Sequence, residues 1–194
     1  MDFFSRTNAY FEKSETIDSN KINCGWCDSI ISPNKGYRVR CSSHSIVGYI
    51  YVCPNCNQIS LFNSYKSIFP KSKYGKAVEK LPNDVAQIYD ECRKCFSIGA
   101  YTSISLLARK LLMHIGVKEG AEENKPFKYY VDFLVENNYV PPKSKHLLEF
   151  IRNQGNEATH EIIVKNEEDA KKIVDFVSMI LIFLYEYADA GVAE

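Results

Sequence analysis

Two Cys-x-x-Cys pairs constrain this chain more than any other feature. Cys24-Gly-Trp-Cys27 and Cys53-Pro-Asn-Cys56 stand with 25 residues between them, each at the end of a strand-like run. A tetrahedral zinc ion takes four thiolates at ~2.3 Å, and each Cys-x-x-Cys turn can deliver two to the same ion. A β unit of roughly 40 residues has too little apolar core to fold unaided. The spacing therefore predicts one structural zinc held by Cys24, Cys27, Cys53 and Cys56, with no ligand position left for chemistry. Gly25 eases the first turn, and Asn57 tolerates the left-handed backbone expected after the second.

The chain has 7 Cys. Cys41-Ser-Ser-His44 offers an alternative ligand pair, although the favoured reading packs Cys41 and puts His44 at a hairpin. Cys92-Arg-Lys-Cys95 falls inside an expected helix with Cys92 on its apolar stripe, so both read as buried thiols ahead of any redox or metal role. Residues 1–15 carry charges where an export signal would be apolar, which predicts a cytoplasmic protein with reduced thiols.

The rest of the chain falls into two textures. Residues 1–20 read as a polar N-terminal arm and 21–66 as the ribbon. Within the ribbon, 36–41 alternates, 46–53 is rich in β-branched and aromatic residues, and 58–62 offers a further strand. Residues 67–80 read as a basic surface connector. From Leu81 the apolar period is helical. One helix starts at Pro82-Asn83-Asp84 and stops at Gly99; a second runs over about 100–115, with Gly116 as its stop. A third follows Pro126 and is broken by Pro141-Pro142, a fourth covers about 143–160, and a fifth runs from an Asn166 cap to about 188. The expected fold class is α+β: a small β-rich zinc ribbon, then an all-α five-helix bundle over 81–194.

Charge divides the same way. Lys+Arg and Asp+Glu are 24 each, which excludes a bulk polycation. Residues 1–80 nevertheless carry 11 Lys+Arg against 6 Asp+Glu, a net +5, and the remainder carries −5. Tyr37, Arg38, Arg40, Tyr49 and Tyr51 interleave aromatic rings with positive charge, a pattern suited to single-stranded RNA or DNA. The longest apolar run, 176–185, is half the ~20 residues that span a bilayer, so no membrane contact is expected. Six consecutive apolar residues within it, Met179 to Leu184, exceed what one bundle helix buries, and this predicts a homodimer.

The fourth helix carries a polar ridge: Arg152, Asn156 and His160 at i, i+4 and i+8. Gly155 beside it costs a helix ~1 kcal/mol relative to Ala, which suggests a close neighbour. The segment LPNDVAQIYDECRKCFSIGAYTSISLLARKLL, the Tyr-Val-Pro-Pro break and IRNQGNEATH together resemble the bacterial domain of unknown function 4145, whose members often carry a two-Cys-pair ribbon in front. The resemblance covers about 81–188 plus the ribbon. It implies a helical domain similar to a divergent HEPN bundle, many of whose relatives are metal-independent dimeric ribonucleases, and an association with restriction subunits and phage defence. Active HEPN ribonucleases carry Arg-x(4–6)-His on one helix. Here seven residues separate Arg152 from His160, about 12 Å along a helix and about 80° around it. The family also favours Glu near position 113, where this chain has Met113.

Binding is thus placed ahead of catalysis. The expected protein is a non-catalytic binding or assembly module of a bacterial defence or restriction-associated system. Its ribbon would contact nucleic acid or a protein partner, and its helical domain would dimerise. The alternative is a HEPN-type RNA endonuclease with His160 as general base, Arg152 on the scissile phosphate and Asn156 orienting the His.

Overall fold

The computed structural model describes residues 13–153 and 165–187. Among the described residues seven strands precede five α-helices, an α+β arrangement. The chain divides into two compact units, Met1–Lys73 and Tyr74–Glu194.

The first unit holds an antiparallel sheet in the order β1-β4-β5-β6-β7 and a separate hairpin, β2-β3. The long strands are β4 (Lys35–Arg40), β5 (Ile46–Val52) and β6 (Ile59–Asn63). Both edge strands come from segments expected to lie outside the ribbon. β1 (Glu15–Thr16), from the arm, pairs with β4, and Ile17 beyond it is buried. β7 (Ile68–Phe69), from the connector, pairs with β6. The hairpin joins β2 (Ile22–Asn23) to β3 (Ile30–Ile31). Apolar burial here is thin: one cluster consists of Cys24, Ile31 and Cys53, flanked by Ile22, Trp26, Cys27 and Cys56.

The second unit has its own core. The helices are α1 (Asn83–Ser97), α2 (Tyr101–Lys118), α3 (Phe127–Glu136), α4 (Lys145–Asn153) and α5 (Glu167–Leu181). The α1 stripe Val85, Tyr89, Phe96 joins Ile104, Ala108, Leu111 and Ile115 of α2 and Ile173, Val174, Val177 of α5 in one buried cluster. α5 opens as its sequence predicts: the Asn166 side chain accepts from the Asp169 N–H at 2.9 Å, and three acidic residues occupy the first turn.

Two helix ends differ from expectation. Gly116 does not stop α2, which runs on to Lys118. The true stop is Gly120 at φ +104°, whose N–H bonds to Val117 while Ala121 N–H reaches back to Gly116. Gly116 is needed for a different reason, since a Cβ there would lie 3.0 Å from Tyr130 Cδ1. α3 ends at Glu136 rather than at Pro141-Pro142: Asn138 turns left-handed at φ +61°, and Tyr139 N–H closes on Leu134 at 2.9 Å.

Residues 74–78 are not a loose surface connector. Tyr74 stacks on Phe96, and Arg93 donates to the carbonyls of Tyr74 and Gly75 at 3.0 and 2.8 Å. The strap is thereby fastened across α1. No helix among the described residues is long and apolar enough to cross a membrane.

Candidate metal centre

The four cysteines converge because each Cys-x-x-Cys pair is the turn of a hairpin. In the β2-β3 turn, Asp28 N–H donates to Cys24 O and Cys24 N–H to Ser29 O, both at 2.9 Å. The β5-β6 turn repeats the pattern: Asn57 N–H to Cys53 O at 3.0 Å and Cys53 N–H to Gln58 O at 2.9 Å. Each turn closes on a left-handed residue, Asp28 at φ +65° and Asn57 at φ +56°. Asn57 adopts the conformation its type favours, and Asp28 is its counterpart in the first turn. Gly25 acts by close approach: a Cβ would stand 2.3 Å from Lys71 O. Trp26 Nε1–H donates to Ile59 O at 2.8 Å and locks the first turn onto β6.

All four Sγ atoms lie within 4.8 Å of one another. Cys24 and Cys56 are 3.9 Å apart, and Cys27 and Cys53 are 3.8 Å apart. A disulfide would need ~2.05 Å. A tetrahedron of thiolates around an ion at ~2.3 Å has edges of ~3.8 Å. The cluster can therefore hold a metal ion. Burial pushes the Cys24 thiol up to about 11 and Cys56 higher still. Cys27 is burdened by burial too, but hydrogen bonds from the Asn55 and Ser29 side chains and the Ser29 backbone bring it down to about 6. Asn55 reaches Cys27 Sγ at 3.5 Å and Ser29 Oγ at 2.9 Å, so it bridges one turn to the other. Cys27 is thus set to enter as thiolate, while Cys24 and Cys56 release protons when an ion binds.

The remaining sulfurs stay apart from this cluster. Cys41 Sγ contacts Ser43 Oγ at 2.9 Å, and His44 occupies the β4-β5 turn at φ +63°. Cys92 is buried on α1 and pushed up to about 12 by that burial; Cys95 is raised likewise. Neither is primed for reaction.

The aromatic-basic set on the ribbon is not one open platform. Cross-strand register puts Arg38 opposite Tyr49 but Tyr37 opposite Ile50, so Tyr37 lies on the other face. Tyr51 is 1% exposed; its hydroxyl donates to Asp18 O and accepts from Asn20 Nδ2. Tyr49 donates to Asp18 Oδ2 at 3.2 Å, Arg38 is ion-paired with Glu15, and Arg40 donates to His44 O at 2.8 Å. Arm residues between 15 and 20 engage three of the five groups expected to meet nucleic acid, Arg38, Tyr49 and Tyr51. The sequence signal for this was the run of polar residues Glu15, Asp18 and Asn20.

Of the helical ridge, Arg152 is half-buried in the last turn of α4, and its carbonyl accepts from Arg109 Nη1 at 3.1 Å. Gly155, Asn156 and His160 lie outside the described residues. A four-residue Arg-to-His spacing does occur on α2, at Arg109 and His114. Their side chains diverge: Arg109 lies 4.3 Å from the Phe127 ring centroid, whereas His114 Nε2 is 2.8 Å from Asp84 Oδ2. Met113 packs against the core.

The profile of DUF4145, a domain of unknown function, matches residues 90–191, just over half of the 194-residue chain. The chain belongs to the DUF4145 family. No curated protein and no solved structure matches it. The DUF4145 match runs from within α1 to beyond α5 and contains Arg109, Arg152 and His160. The cysteine cluster lies wholly before it, so the candidate metal centre is read from its own geometry.

Proposed function

We propose that this protein is a non-catalytic binding and assembly module whose β unit is stapled by one structural zinc ion. The observation that carries this reading is the cluster: four thiols within 4.8 Å of one another, all from the chain, in a unit with little other core. Four thiolates leave a zinc ion no position for substrate, so its work is to fold the unit.

Once stapled, the unit displays a sheet. Val39, Leu61 and Phe69 are exposed on one face and border a groove of ≈390 Å³ with Gly48 at its floor. An apolar sheet face supports a protein partner over a stacked nucleic acid, because Tyr49 and Tyr51 on the opposite face are engaged internally. Contact with RNA or DNA would rest on net charge and weaken with salt. The DUF4145 membership, with the resemblance described above, supports a setting in bacterial defence or restriction-associated assemblies. The ribonuclease alternative rests on His160 and Asn156, which lie outside the described residues, and on Arg152 at the end of α4; a second Arg-to-His spacing, Arg109 and His114, has side chains that diverge.

Metal analysis tests the reading. Purified protein should carry one zinc per chain, and Cys53→Ser should abolish binding. Iron in the cluster, seen by its visible absorbance, would overturn the zinc assignment. Cleavage of single-stranded RNA that disappears in His160→Ala would establish the enzyme instead.

A further inference from the structure

The apolar end of α5 sorts into two faces. Ile180 and Leu181 are buried, and Leu184 and Tyr185 pack against the core. At Ile182–Glu186 the helix widens into one π turn, with Tyr187 N–H donating to Ile182 O at 3.2 Å. Along the outward face, Met179, Phe183 and Tyr187 follow at i, i+4 and i+8, exposed by 37%, 50% and 65%. With Ile182 they line a groove of ≈420 Å³. Its other lining residues are Ser178, Lys76 and Asp175. Tyr74 holds Asp175 in place through a 2.9 Å hydrogen bond.

One cation and one anion beside an apolar stripe make this patch complementary to itself. In a two-fold contact every residue pair occurs twice, so Lys76 of each chain can meet the partner subunit's Asp175 while the stripes cover each other. A nucleic acid would need an excess of positive charge, which this lining lacks. We propose that Met179, Ile182, Phe183 and Tyr187, with Lys76 and Asp175 at the rim, form an isologous interface with a second copy of this chain. The proposal deepens the assembly reading by naming its partner.

Light scattering on the full chain at micromolar concentration should give twice the 22.2 kDa chain mass. Phe183→Asp should yield a monomer of unchanged helix content, since Phe183 is half exposed and the change sets like charges across the axis. Lys76→Glu should weaken association by roughly tenfold or more. Adding Asp175→Lys should restore it, because swapped charges still pair across a two-fold. A wild-type monomer would overturn the proposal. So would a Phe183→Asp dimer, or a monomer that dimerises only after deletion of residues 1–12, which would make that arm the occupant. Zinc content measured on the same samples separates the two readings: a zinc-loaded monomer sinks only the interface, and a zinc-free dimer sinks only the metal.

Discussion

Asp84 shows how one side chain ties two helices together. It stands in the first turn of α1, where a carboxylate favours the helix dipole, and it accepts from His114 at 2.8 Å and from Lys118 at 3.0 Å on α2. The Lys118 ammonium, aided by the Val85 N–H and His114, holds its carboxyl at about 2 instead of 3.8. A lowered folded value means the contribution is fully present above the unfolded value and is lost as pH falls through about 2. Asp84→Asn should therefore lower the melting temperature near neutral pH, and the gap to wild type should close near pH 2; thermal melts at both pH values check this. The cysteines separate by environment in the same way. Cys41 is lowered by its Ser43 hydrogen bonds, whereas Cys92 is pushed up to about 12 by burial. In metal-loaded protein, brief alkylation followed by mass spectrometry should label Cys41 first and leave Cys92 untouched.

At the scale of elements, three successive helices close in the same way. α1, α2 and α3 end on left-handed Gly99, Gly120 and Asn138, and each passes two backbone hydrogen bonds back to its own last turn. Gly120→Ala meets no neighbouring atom, so only the backbone conformation resists it, at ~1 kcal/mol. Gly116→Val differs in kind. Its branches would press on buried Tyr130, and overpacking of that sort costs ~1–3 kcal/mol. Asn166→Ala should cost ~1 kcal/mol through the lost cap on α5. Urea midpoints of the three variants should rank Gly116→Val as the least stable. Equal losses at Gly116 and Gly120 would show that Tyr130 yields.

On the scale of the whole molecule, the two units rest on different physics. The helical unit has a large aliphatic and aromatic core, whereas the cluster in the β unit is mostly sulfur. A strong chelator should unfold the β unit and leave the far-UV helix signal nearly intact, with two separate transitions on heating. A single transition at an unchanged temperature would show that the β unit stands without metal. The four-cysteine cluster was legible in the sequence because Cys-x-x-Cys spacing and hairpin turns are local, and the cap at Asn166 and the stop at Gly99 were legible for the same reason. The stop at Gly116 was misread because its explanation, Tyr130, sits on another helix. That the aromatic-basic residues do not share one open face was not legible, because strand alternation and residues 15–20 decide which side chains remain open. The sequence by itself determined which four cysteines come together, the change from strand to helix and the family. Only the tertiary structure decided that Arg38, Tyr49 and Tyr51 are engaged internally, and that Met179, Phe183 and Tyr187 face outward while Ile180 and Leu181 do not. Periodicity says which residues share a face; what covers that face depends on segments distant in the chain.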